Sequence, residues 1–214
     1  MRPLPTLLAL FALAAAPLAV APLAAAADDR GAQLFKLCVQ CHGPDGGGTA
    51  LAQAPAIAGL DEWYLKAQLE KFRSGARGTH FDDIAGMRMR PMALSLLDDE
   101  NVAAVAAYVA ALPRTHPKPT LEGGDAGRGQ ALYAPCSACH GPDGAGIQAL
   151  NGAPLRATTD WYLLRQLQNF RSGVRGTNPQ DASGALMRPM SLTLADEQAM
   201  KDVIAYIVTL PGSH

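Results

Sequence analysis

The 214-residue chain has almost no net charge: 18 Lys and Arg stand against 19 Asp and Glu, leaving −1 with His neutral. So balanced a chain generates no long-range field to hold a phosphate backbone, which argues against nucleic acid as a partner. It has one long apolar run, at its beginning, and no later stretch is long and apolar enough to span a bilayer. Nothing along it alternates apolar and polar residues like a pair of strands, which points to an all-α fold. Cysteine and histidine are scarce, at 4 and 5 residues, and the cysteines fall in two pairs, each followed at once by a histidine.

The apolar run follows Met1 and Arg2 as LPTLLALFALAAAPLAVAPLAAAA, broken by Pro17 and Pro22, and gives way to Asp28 and Asp29. It reads as a secretory signal cut near Ala27, which would place the mature protein in the periplasm. The alternative is an uncleaved membrane anchor, because the run is longer than a usual signal core; the two prolines and the Ala-rich end favour cleavage.

The cysteine pairs belong to a longer repeat. CVQCHGPDG, from Cys38 to Gly46, returns as CSACHGPDG, from Cys136 to Gly144. The same 98-residue offset carries Trp63 to Trp161, Phe72 to Phe170, Arg77 to Arg175, Met89 to Met187, Tyr108 to Tyr206 and Leu112 to Leu210. Two copies are too few for a solenoid, so each is expected to be a small domain. Pro113 to Asp125 combines prolines that favour extended backbone with glycines that break it, and reads as a linker. The expected division is a signal at 1–27, domains at 28–112 and 126–214, and a linker at 113–125.

Within each module the punctuation predicts three helices. The first begins at Asp28 or Asp29, with acids at its positive end, and runs into the cysteine motif. The second lies between Asp61 and Gly75; the third follows Asp98 and ends before Pro113. Their counterparts begin near Asp125, Asp160 and Asp196. A module this small, with Gly, Pro and polar residues where a core should be, needs something other than side chains in its middle.

The repeated phrase says what that is. C-x-x-C-H is the haem c attachment signature: two thiols add to the two vinyl groups of one porphyrin, and the adjacent His turns to the iron. Two intervening residues let the thiols reach neighbouring edges of the ring, and GPDG then turns the chain away. Two covalent haem c groups are therefore expected, on Cys38, Cys41 and His42 and on Cys136, Cys139 and His140. A redox-active C-x-x-C would need a βαβ context, zinc would not need His42 and His140 immediately after each pair, and two short disulfides would leave both modules hollow.

For the sixth position on iron no second His recurs: His80 stands opposite Asn178, and His116 and His214 lie in the linker and at the end. Methionine does recur, in MRPM at Met89 to Met92 and Met187 to Met190, in what reads as a loop able to fold back over the haem. Core filling is the ordinary role of methionine; the recurrence favours ligation by one member of each pair.

C-x-x-C-H near the start, a Trp-Tyr-Leu helix ending in FRSG, a late Met and a final helix carrying a Tyr resemble a class I cytochrome c domain. Two in tandem behind a signal sequence resemble the two-haem cytochromes of the c4 type. The resemblance implies thioether anchors at Cys38, Cys41, Cys136 and Cys139 and proximal ligands at His42 and His140. In that family the distal Met precedes by seven residues the leucine leading into the last helix, which selects Met89 before Leu96 and Met187 before Leu194 over Met92 and Met190. The family also holds the proximal imidazole with a proline carbonyl. Pro55 fits, whereas position 153 is Ala and Pro154 lies one residue late. Trp63, Trp161, Tyr64 and Tyr162 read either as haem lining or as ordinary core. Arg73, Arg77, Arg171 and Arg175 read as cations closing the middle helices, with pairing to haem propionates as the less favoured alternative.

The function implied is electron carriage, with a quinol-oxidising complex or dehydrogenase as donor and a terminal oxidase or reductase as acceptor. Peripheral membrane association is compatible with this. The alternatives are a two-haem enzyme such as a peroxidase and a cytochrome subunit of a larger oxidoreductase. Residues 28–116 carry −2 and residues 117–214 carry 0, counting Lys and Arg against Asp and Glu. More negative surroundings stabilise ferric haem, so the haem at His42 is expected to have the lower potential.

Overall fold

The computed structural model describes residues 23–213, with side chains from residue 30. The apolar run read as a signal therefore lies largely outside the described residues. The first module contains α1 (Leu23–His42), α2 (Glu62–Ser74), α3 (Ile84–Leu94) and α4 (Asp99–Ala111). The second contains α5 (Ala126–Tyr133), α6 (Ser137–His140), a single 3₁₀ turn at Gln148–Leu150, α7 (Asp160–Ser172), α8 (Ala182–Leu192) and α9 (Glu197–Ile207). Among the described residues the only extended pairings are two isolated bridges, Thr49 with Ala54 and Ile147 with Gly152.

Two expectations are corrected. First, α1 begins at Leu23 rather than at Asp28 or Asp29, so those acids lie inside the helix. LAAAA is made of strong helix formers and carries the helix back past them. Second, each module has an additional helix, and MRPM lies in it rather than in a loop. Its start is fixed by Asp83, whose side chain accepts from the Gly86 amide at 3.0 Å, and by Asp181, which accepts from Gly184 at 3.0 Å. Each cap folds tightly over its helix end: a Cβ on Gly86 or Gly184 would stand 2.1 or 2.0 Å from a carboxylate oxygen. Pro91 and Pro189 sit within these helices on the exposed side, where the lost backbone bond leaves a carbonyl that water can reach.

The frame of each module is a crossing of its first and last helices, α1 on α4 and α5 on α9. Glycine sets how close they come. A Cβ on Gly31 would lie 2.4 Å from the Ala104 carbonyl oxygen, and one on Gly129 would lie 1.9 Å from that of Asp202. Beside each crossing an aromatic pair is packed, Phe35 with Tyr108 at 5.4 Å between ring centroids and Tyr133 with Tyr206 at 5.5 Å. Arg30 bonds Asn101 at 2.8 Å, and Arg128 bonds buried Asp202 at 2.7 and 3.0 Å, so a cation ties the helices in both halves. The two apolar cores keep the register of the repeat. Leu65, Leu96, Val102, Val105 and Val109 in the first become Leu163, Leu194, Met200, Val203 and Ile207 in the second.

The segment between α4 and α5 is fastened at both ends. The Arg114 guanidinium donates to the Gly59 carbonyl at 2.6 Å. At the other end the Asp160 carboxylate accepts from the Leu121 amide at 2.6 Å, the Thr120 hydroxyl at 3.1 Å and the Thr120 amide. Asp160 is thus the first residue of α7 and also the anchor of the incoming chain.

Because the helix crossings have no room for a methyl group, Gly31→Ala and Gly129→Ala should each destabilise the haem-loaded protein by about 1–3 kcal/mol. Denaturant unfolding followed by far-UV circular dichroism measures this.

Candidate functional site

Each C-x-x-C-H motif is built into a helix end. Cys38, Cys41 and His42 form the last turn of α1; Cys136 precedes α6, which consists of Ser137 to His140. None of the four cysteines forms a disulfide; Cys41 and Cys139 are exposed and Cys38 and Cys136 half-buried. Burial, with a smaller contribution from Cys41, pushes the Cys38 thiol up to about 11, and burial also raises Cys136. GPDG turns the chain back after each histidine, so that the loop beyond returns to the imidazole.

That return fixes the ring. The Nδ1 of His42 lies 2.9 Å from the Pro55 carbonyl oxygen, and the Nδ1 of His140 lies 2.7 Å from that of Ala153. A carbonyl only accepts, so Nδ1 carries the proton in both rings and the Nε2 lone pair is left for a metal. Ala153 occupies the position of Pro55 in the repeat; the acceptor is backbone, so the side-chain change from Pro to Ala leaves the bond in place. Both imidazoles are buried, which lowers their pKa, with the carbonyl bond opposing, and this favours the neutral ring that a metal needs.

A largely apolar cavity of about 540 Å³ runs from one motif to the other. His42 and His140, all four cysteines, and Met89, Met92, Met187 and Met190 line it. In each half the structure thus brings an imidazole and two thioethers to one space. Trp63, Tyr64 and Tyr162 also line it, whereas Trp161 does not; its ring lies under the Arg165 guanidinium at 5.7 Å.

Where the halves meet, sequence reasoning missed a polar ring. Arg77 donates to Gln68 Oε1 at 2.9 Å, to Gln166 Oε1 at 3.2 Å and to the Tyr162 hydroxyl at 2.8 Å. Arg175 donates to Gln166 Oε1 at 2.8 Å and to Gln68 Oε1 at 3.1 Å. Each amide oxygen therefore serves one guanidinium from each module. Arg77 and Arg175 do not close the middle helices as expected: α2 and α7 stop at Ser74 and Ser172, and these arginines lie beyond the glycine caps, buried, each over a phenylalanine ring. Arg73 and Arg171 do serve local structure, through Asp99 at 2.7 Å and the Ala195 carbonyl at 2.8 Å.

Two buried guanidiniums side by side are electrostatically unbalanced. Burial, and then the charge of Arg77, lower the pKa of Arg175, and the Nε of both residues is buried without a partner. Asp83 and Asp181 act on Arg77 and Arg175 through space without bonding either guanidinium, and the propionates of a porphyrin would supply acceptors for the unpartnered Nε atoms. The paired cysteines, the oriented Nε2 atoms, the apolar cavity and the unpartnered guanidinium Nε atoms together fit haem, and the residues able to hold it are those the motif singled out. Gln68 and Gln166 were findable, since the 98-residue offset relates them.

The family model for Cytochrome c matches residues 29–113 and again residues 126–211. The chain belongs to the cytochrome c family. It is a two-haem, cytochrome c4-like protein of two tandem domains, and it carries two covalently bound haem c groups. Cytochrome c4 of Azotobacter vinelandii is 30% identical over 218 residues, covering 92% of this chain and 95% of that one. The thiosulfate dehydrogenase electron acceptor of Stutzerimonas stutzeri is 37% identical over 164 residues, 72% of each chain. Among solved structures, thiosulfate dehydrogenase from Marichromatium purpuratum superposes with a TM-score of 0.67 at 31% identity. That match covers 86% of this cytochrome and 40% of the larger protein.

Thioether attachment makes a direct prediction. The mature cytochrome should carry two haems that survive denaturation and solvent extraction, and the double variant Cys136→Ser, Cys139→Ser should retain one. Mass spectrometry of the intact chain reads the count.

Proposed function

We propose that this cytochrome is a periplasmic electron carrier that passes single electrons from a dehydrogenase or quinol-oxidising complex to a terminal oxidase or reductase. The observation that carries this is the closed set of donors in each half: an imidazole fixed by a backbone carbonyl and methionine sulfurs lining the same cavity. The haem supplies the one-electron chemistry. The imidazoles of His42 and His140, with one methionine sulfur from each half, would hold that group, leaving no site open to a substrate and little change in geometry between oxidation states.

Met89 and Met187 are the distal ligands in this reading. Their spacing before Leu96 and Leu194 supports the choice, as does the placement of both on capped helices, α3 and α8, that hold them on the cavity wall. A neutral, soft thioether favours ferrous iron and raises the potential. Met92 and Met190, three residues further along the same helices, pack beside them. Nδ1–H donation to Pro55 and Ala153 orients each imidazole and makes Nε2 the better donor. The functional domains are 28–112 and 126–214, joined by 113–125.

A relative that is the electron acceptor of a thiosulfate dehydrogenase supports a dehydrogenase as donor. Export is supported by the leading apolar run and its Ala-rich end. Cleavage after Ala27 would leave Asp28 and Asp29 at the start of α1, where acids suit the helix dipole. Among the described residues no helix is long and apolar enough to cross a membrane.

Met89→Ala should remove about half of the red absorption band given by sulfur on ferric iron, lower one potential, and open one haem to carbon monoxide. Met92→Ala should keep the band and cost about 2–5 kcal/mol at most, as a truncated core methionine does. The reverse pattern assigns ligation to Met92 and Met190. Carbon monoxide binding at one haem of the unaltered protein would instead favour a two-haem enzyme.

A further inference from the structure

The two halves match in sequence register, and their buried charges do not. Lys71, on α2, reaches across to the second module and bonds Asp181 at 2.6 Å and the Ser183 hydroxyl. The Asp181 side chain is fully buried, and that of Lys71 is 17% exposed, so water screens this pair poorly. Burial alone would raise the Asp181 pKa; the Lys71 ammonium reverses this and holds the carboxyl below its ordinary value, ionised. Asp181 caps α8, and Ser183 and Gly184 behind it line the haem cavity.

The mirror position lacks the cation. The repeat places Asn169 opposite Lys71 and Ala85 opposite Ser183. Asn169 is buried, and its Nδ2 has no partner. Asp83, the counterpart of Asp181, is also buried, lines the cavity and caps α3, yet it has no ion pair among the described residues. Arg77 acts on Asp83 as Arg175 acts on Asp181, so the guanidiniums do not distinguish the halves and Lys71 is the cation that does.

We infer that Lys71 sets the difference in potential between the two haems, by neutralising the buried carboxylate that caps the second module's methionine helix, while Asn169 gives the matching carboxylate of the first module no such partner. The inference rests on the proposed reading of two fully ligated haems. A reduced haem carries one positive charge fewer than an oxidised one. A nearby bare carboxylate therefore stabilises the oxidised form, and neutralising it favours reduction. The haem at His42 takes the lower potential and the haem at His140 the higher, so electrons run from the first module to the second.

Other differences are weaker or act in the same direction. Arg88, opposite Leu186, places a cation near the first haem, but it is exposed and bonds Gln53 at 3.0 Å, where solvent screens it. Arg165, opposite Ala67, adds a cation at the second haem's cavity. The surface balance of −2 against 0 read from sequence has the same sign, but it is spread over solvent-facing groups.

The test is a spectroelectrochemical titration of the full two-haem protein, with haem-methyl NMR resonances assigning each potential to its module. Lys71→Asn should lower the potential at His140 and narrow the gap, whereas Lys71→Arg should keep it. Asn169→Lys should raise the potential at His42. A purely structural role for Lys71 would change the unfolding midpoint and leave both potentials in place, which overturns the inference. So does an unaltered protein whose haems titrate together or in the opposite order. If Lys71→Asn does not fold, Asn169→Lys decides alone: a lower potential that does not move overturns the inference. Loss of the sulfur-to-iron band in the unaltered protein is a separate failure, of the ligand reading.

Discussion

Each half of this cytochrome depends on a group that is not an amino acid. Fewer than a hundred residues per module cannot build a large core, and the helices instead frame a cavity with apolar walls. Exposed to water, those walls would cost free energy; against a porphyrin they become the core. The crossing of the first and last helices, closed by Gly31 and Gly129, is the part of the fold that stands on side chains and backbone alone. The loops that follow each motif have little internal structure because their function is to return a carbonyl to an imidazole and cover the ring.

The junction between the modules follows from the same demand. Two guanidiniums would repel if each were left to itself, yet Gln68 and Gln166 bind both at once and hold them together. The arrangement makes sense if anions complete it, and a propionate has the right charge. Propionates held there would tie the two domains to each other, so the group that fills each module would also join it to its neighbour.

Much of this was legible in the sequence, for reasons that differ by residue. The end of α2 and the start of α4 were readable because Gly75 and Asp98 act locally, within a turn of where they stand. The haem motif was readable because thioether chemistry fixes its spacing. The methionine helices were missed because Pro91 and Pro189 suggest a break, while the Asp-x-x-Gly caps that start them are weaker signals. The hydrogen bond to Ala153 departed from the proline pattern because a pattern of side chains does not report a backbone acceptor. Arg77 and Lys71 were the hardest: Arg77 read as a cation on a helix dipole and Lys71 carried no signal of its own, and only the arrangement of two domains brings them to their partners.

A duplicated module begins as two equal halves, and two equal halves would share an electron without direction. What matters, then, is where the copies have diverged, and buried divergence counts for more than exposed divergence because the field of a buried charge is less screened. Two exchanges of charge show the contrast. At one, Ala104 in the first copy has become Asp202 in the second, but Arg128 of the same module binds that carboxylate at 2.7 Å on the outer helix crossing, so the change stays local and strengthens the frame. At the other, Lys71 and Asn169 stand in matching places on α2 and α7, and only Lys71 is charged and bonds the opposite module. The first exchange is matched within its own domain, whereas the second crosses the interface and carries positive charge from one haem's helix to the other haem's carboxylate. The same contact that holds the domains in register is therefore also the one that makes them unequal.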